Sequence, residues 1–380
     1  MKWFREFWRR WLAERAPAPK AKVPKPPKAA PVVPTSPVVA PLSLAAFTRI
    51  AEPAGFSPRD IVRAIAAGDA HKIDASGWVG LVDADGRLDI SRAKRLGITM
   101  LDGLAGDDPA AVDRALAGIR GAMVFQGADG SFATQDFGAK QDFHSIHKKT
   151  IALCDWAHAL HAAKASPFYI GARMVSIDAL VARIGVTAVW LAGSDDLAGF
   201  FADTDGQCNQ FLSAIGFLHA AGVLTGNLDL QGAARAKMEW VFANMVSGDG
   251  VFREKFKADG VGYDTVYQLF SMRLLACYVM MLPAGLWRDN CLGRLRQGLR
   301  RWVQTIDPAT GLVDDSSSSR TTASPNLTPG KIDTWDSAAT GYSLHLGHYV
   351  AGPSGFSLPL DQLAVRQIRA GQTFLHLTRA

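Results

Sequence analysis

Sliding the chain 120 residues along itself brings two segments into register without a gap. Gly130 falls on Gly250, Phe132 on Phe252, Phe143 on Tyr263, His144 on Asp264, Ile146 on Val266 and His147 on Tyr267. In both copies an Asp-Gly turn (Asp129-Gly130 and Asp249-Gly250) leads through a short extended piece and a polar loop into an aromatic-headed helix. A looser third copy runs from Thr310-Gly311-Leu312-Val313-Asp314-Asp315 through a Ser/Thr/Pro/Asn loop to Trp335-Asp336. A unit of two helices joined in this way cannot cover its own apolar faces. Successive units stacked side by side can.

Helical periodicity dominates after Asp107 and predicts helices at about 109–122, 143–164, 172–192, 207–222, 231–246, 264–282, 286–304, 334–350 and 359–369. Two of them, around Val186–Leu191 and Phe211–Leu218, are apolar nearly all round, as expected for helices covered on more than one side. Strand signals are few and short. Cys154, Cys208, Cys277 and Cys291 are far apart, show no Cys-x-x-Cys spacing and lie in apolar helical surroundings, so they read as buried free thiols. The expected fold is mostly α, an α/α toroid or incomplete ring of helical hairpins. The recurring Gly-x-Phe turn, polar loop and aromatic-Asp helix start resemble the α/α toroids of several glycoside hydrolases and polysaccharide lyases, over about residues 80–350. That resemblance implies a protein that binds or cleaves a polysaccharide or oligosaccharide.

The chain ahead of this body has a different composition. Residues 1–15 place apolar groups at 3, 4, 7, 8, 11 and 12, one face of a helix, with arginines on the other. Trp3, Phe4, Phe7, Trp8 and Trp11 beside basic residues suit an anionic membrane surface, or a partner protein, and charges interrupt the apolar run too often for a cleavable signal peptide. Residues 16–42 are rich in Pro, Ala, Lys and Val, an extended spacer that cannot bury a core. Residues 43–380 read as one globular domain, with an N-terminal part at 43–106 and the hairpin repeats at 107–380. The Asp-x-Asp-Gly within Val82–Asp89 lacks the closing glutamate of a calcium loop and reads as a turn. Residues 1–28 carry a charge of +7 against +6 for the whole chain, which leaves −1 on the remainder. The body is therefore no nucleic-acid binder. A membrane-associated protein, expected at the cytoplasmic face, fits this tail and spacer.

In stacked hairpins of this kind the loops and helix starts share one end. Glu254 and Asp264 are the leading catalytic pair there, because two carboxylates flanking a sugar bond can supply an acid and a base or nucleophile. Asp264 also reads as a helix N-cap. Tyr263, Tyr267 and Trp335 would stack on sugar faces, and Asp336, Asp205 and Gln210 would bind hydroxyls. His144 and His147, one helical turn apart, would line the same site as acid/base groups or metal ligands; Asp205 reads equally as a helix cap. The pair His144 and His147 lacks a third ligand, so no metal and no cofactor are expected. No nucleophile elbow, P-loop or dinucleotide fingerprint occurs in a fitting context. The competing expectation is a non-enzymatic assembly or scaffold protein of an envelope polysaccharide machine or a virus particle.

Overall fold

A computed structural model describes residues 96–305, other than 98, 102, 105–106, 133–142, 195–196, 198–206 and 255–261; of 143–149, 266 and 303 it describes only the backbone. Residues 1–15 and 16–42, the Val82–Asp89 turn, Trp335-Asp336 and the helices expected at 334–350 and 359–369 lie outside the described residues.

After helical residues between Leu96 and Leu104 come seven longer helices. They are α1 (Pro109–Met123), α2 (Phe143–Lys164), α3 (Gly171–Gly193), α4 (Cys208–Thr225), α5 (Leu228–Asn244), α6 (Thr265–Met280) and α7 (Leu286–Val303). All seven answer to predicted segments. Local chemistry sets several starts: Asp108 accepts from the amides of Ala110 and Ala111 with Pro109 next in line, and Asn227 caps α5 through Asp229 and Leu230. Asn227 is why α5 begins three residues ahead of the expected 231. Among the described residues extended pairing is confined to two isolated antiparallel bridges, Gln126 with Phe132 and Val246 with Phe252.

Those two bridges stand 120 residues apart, as the repeat requires. The turns match in detail. In the first, Gly127 N donates to Ser131 O at 2.7 Å and Gly130 N to Gly127 O at 3.0 Å. In the second, Ser247 N donates to Val251 O at 3.0 Å and Gly250 N to Ser247 O at 3.1 Å. Gly130 and Gly250 sit at φ of 94° and 88°, in the left-handed region that glycine tolerates. Each presses against the backbone of a following helix, Gly130 on Val186 of α3 and Gly250 on Gln297 of α7. A polar side chain then holds each glycine carbonyl: Thr187 Oγ1 on Gly130 O and Gln268 Nε2 on Gly250 O, both at 2.8 Å. Different helices supply the two clamps, so the backbone unit is repeated while its fastening is not.

The helices form two layers. Helices α2, α4 and α6 make the inner layer, with α4 packed against both of the others. Helices α1, α3 and α5 follow one another outside, and α7 packs on α6. The outer layer continues from α5 to α7 through Phe242 and Trp287, 6.0 Å apart, with Arg235 over the Trp287 ring. Helix α4 is apolar all round and buried from Cys208 to Gly222, as its sequence demands. The four cysteines are free and buried, and burial raises every thiol pKa. Across the inner layer α2 and α6 are joined directly. Asp155 pairs with Arg273, and the ring of His158 reaches Cys154 O at 2.8 Å and Cys277 O at 3.0 Å.

Helix α3 is, among the described residues, the helix long and apolar enough to cross a membrane by length and composition. Its inward side packs on the body through Ile177, Leu180, Ile184, Ala188 and Leu191, while Val175, Val186 and Val189 are exposed. Its charges are tied to neighbours, Arg173 to Asp113, Asp178 to Lys164, and Arg183 to Gln126 and Met123 O.

His219 in α4 is buried against the Tyr278 ring, with centroids 4.5 Å apart. Burial pushes its pKa down to about 4, because the charged imidazolium would lose its water. The unfolded chain therefore binds this proton first as pH falls from about 6.5 towards 4, and stability drops across that window. The expected loss is about 3 kcal/mol by proton linkage. Urea unfolding of His219→Phe checks it: the variant should flatten this acid-side slope, and an unchanged slope would assign the pH dependence to other groups.

Candidate functional site

Polarity in the inner layer is confined largely to one end. Thr150 of α2, Ser213 of α4 and Ser271 of α6 are buried in the earlier halves of their helices, as are Asn209 and Gln210 at the start of α4 and Thr265 and Gln268 at the start of α6. Glu254 and Asp264, on the approach to α6, are each 1% exposed. Further along, the same helices bury Phe217, Leu218 and Ala220, or Leu274, Leu275 and Val279; Asp155, Arg273 and His219 are the polar exceptions. Burying so many polar groups side by side costs free energy unless each finds a partner. Thr150 and Ser213 pair through their hydroxyls at 2.7 Å, while Ser271 Oγ, Asn209 Oδ1 and Gln210 Oε1 have no hydrogen-bond partner among the described residues.

Glu254 is placed by the repeat turn. Beyond Gly250 the chain crosses the start of α4, where Arg253 O accepts from Cys208 N at 3.0 Å. Glu254 N donates to Gly262 O at 2.6 Å, which ties Glu254 to the approach of α6. The Glu254 carboxylate then accepts from Asn209 Nδ2 at 2.8 Å and faces Asn209 N at 3.5 Å. Helix α4 has no side-chain cap of its own at Gln207, and this carboxylate, 45 residues downstream, takes that place through its contact with Asn209 N. The helix dipole and the donors both suit a negative charge at that point.

Asp264 caps α6 by accepting from Tyr267 N at 2.9 Å. The capping duty anticipated for it is thus present. Tyr263 is 1% exposed, with Arg301 over its ring at 4.7 Å, and burial pushes its hydroxyl pKa up. Tyr267 is partly exposed in the first turn of α6. Trp302 Nε1 donates to Thr265 O at 3.0 Å and fastens the end of α7 to the start of α6.

The fold brings Glu254, Asp264, Tyr263, Tyr267 and Gln210 to the two neighbouring helix starts of α4 and α6. The backbones of His144 and His147 lie in the first turns of α2, but their side chains, like Asp205, Trp335, Asp336 and the N-terminal aromatics, fall outside the described residues. Sequence reasoning missed Asn209. Its signal was present in the dense polar run Gln207-Cys208-Asn209-Gln210 opening an otherwise apolar helix. Only the fold shows that it holds Glu254. Among the described residues no three His, Cys, Asp or Glu side chains gather as a metal site would require. Against family models, curated proteins and solved structures, the chain matches none.

Proposed function

We propose that this protein binds or cleaves a polysaccharide at the shared end of its inner helices, and that its stacked hairpins continue as an α/α toroid. The observation that carries the reading is the buried polar end of the inner layer, with two carboxylates, set against an apolar remainder. The two-layer order of the helices supports the toroid, since the inner helices α2 and α6 each follow an outer helix and a matching turn. In the reaction Glu254 acts as the base or nucleophile, and Asp264 is the partner carboxyl. Tyr267 and Gln210 contact the sugar, joined by His144, His147, Asp205 and the Trp335-Asp336 pair. The basic aromatic segment 1–15 and the Pro-rich spacer hold the body at a membrane surface.

Glu254→Gln and Asp264→Asn test the assignment on a panel of soluble polysaccharides. Released reducing ends report hydrolysis, and ultraviolet absorbance of unsaturated products reports elimination. Each variant is expected to lose at least about a hundredfold in turnover, with melting temperature followed alongside because both carboxylates cap helices. Full turnover in both folded variants would remove the pair.

A further inference from the structure

We infer, resting on the glycan reading above, that the site around the first turn of α4 selects neutral, hydroxyl-rich sugars over acidic ones. The balance of donors and acceptors there carries the selection. The Asn209 amide donates through Nδ2 to Glu254 Oε1 at 2.8 Å, an orientation a carboxylate enforces because it can only accept. That leaves Asn209 Oδ1 pointing elsewhere, buried and without a hydrogen-bond partner among the described residues. Beside it Gln210 Nε2 donates to Gln207 Oε1 at 2.7 Å, and Gln210 Oε1 is buried without a hydrogen-bond partner among the described residues. Asn209 is 0% and Gln210 2% exposed, so bulk water does not satisfy these oxygens. The helix start therefore presents acceptors, and its ligand must bring donors.

An anionic ligand fails on the same geometry. An anion would need the amides of the α4 start, yet Cys208 N is used on Arg253 O and Gln210 N on Gln207 O, and the Glu254 carboxylate already occupies the position an anion would take. Arg301 is engaged over the Tyr263 ring. Sugar hydroxyls fit, because each carries a proton to donate and no net charge. The choice bears on the chemistry. β-Elimination needs a sugar carboxyl next to the abstracted proton, which such a site repels, whereas glycosidic hydrolysis proceeds on neutral sugars.

Titration calorimetry of the full chain with neutral oligosaccharides of glucose, mannose, galactose and N-acetylglucosamine, against oligogalacturonate and oligomannuronate, decides the matter. At least one neutral probe is expected to bind about tenfold or more tighter than either uronate. Gln210→Met, read with its melting temperature because it also loses the bond to Gln207, should weaken that probe about tenfold. Asn209→Leu, read only if it melts cooperatively, should do the same. Tight uronate binding without neutral binding would overturn the selectivity while keeping the glycan reading. Neutral binding untouched in both folded variants would place the sugar elsewhere and overturn the subsite. Failure to bind any probe would remove the glycan reading itself.

Discussion

Gly250→Ala is expected to destabilise the protein by about 3–5 kcal/mol, the sum of a left-handed backbone forced on an L-residue and a clash with main chain. Gly250 sits at φ 88°, and a Cβ there would stand 2.7 Å from the carbonyl of Gln297 in α7. Because the obstacle is backbone, no rotamer change can relieve it. Either α7 moves away from the turn, or the turn opens and loses the Gln268 clamp on Gly250 O and on Phe252 N. Both outcomes disturb α6, whose start carries Asp264. Gly293 on the same helix α7 is the control, since nothing lies within 4 Å of a Cβ placed there. Gly293→Ala should be neutral or stabilising by about 0.5–1 kcal/mol through helix propensity. Urea unfolding of the two variants gives the comparison, and equal midpoints would show that the turn does not hold α7.

That glycine also marks where sequence reasoning succeeded. The 120-residue offset depended on Gly130, Gly250, Phe132 and Phe252, residues that backbone geometry and core packing leave little choice over. Helix positions were equally plain, since an apolar face at helical spacing is written locally. The fastening of the turns was not. Thr187 and Gln268 hold their glycine carbonyls from helices at different distances along the chain, so no fixed spacing announces them. The site shows the same division. Asp264 was legible as a cap because a cap and its helix are neighbours. Glu254 stood out as a carboxylate in the turn, but its hold on α4 through Asn209 spans 45 residues and exists only once the hairpins are stacked. The orphaned amide oxygens of Asn209 and Gln210 emerge only with the packed helix start, so nothing in the local sequence announces them.

Removing Arg273 should have an effect of similar size for an electrostatic reason. Arg273 and Asp155 are 7% and 6% exposed and pair between α6 and α2, the inner helices on either side of α4. Arg273→Met leaves the Asp155 carboxylate without its cation in a low-dielectric interior, an expected loss of about 3–5 kcal/mol. Asp155→Leu strands the guanidinium, whose aromatic neighbour, Phe270 at 5.7 Å, compensates only in part. The double variant is the informative one. With neither charge left to desolvate, it should recover most of the loss and lie within about 1–2 kcal/mol of the parent, since buried pairs gain little over well-packed apolar groups. A thermodynamic cycle of urea unfolding measures the coupling directly. A double variant as unstable as the sum of the singles would mean that the two side chains act independently, through packing alone. Coupling of the expected size would instead identify the pair as a fixed strut between α2 and α6. It would then set the spacing of the inner helices on which the polar end, with Glu254 and Asp264, is built.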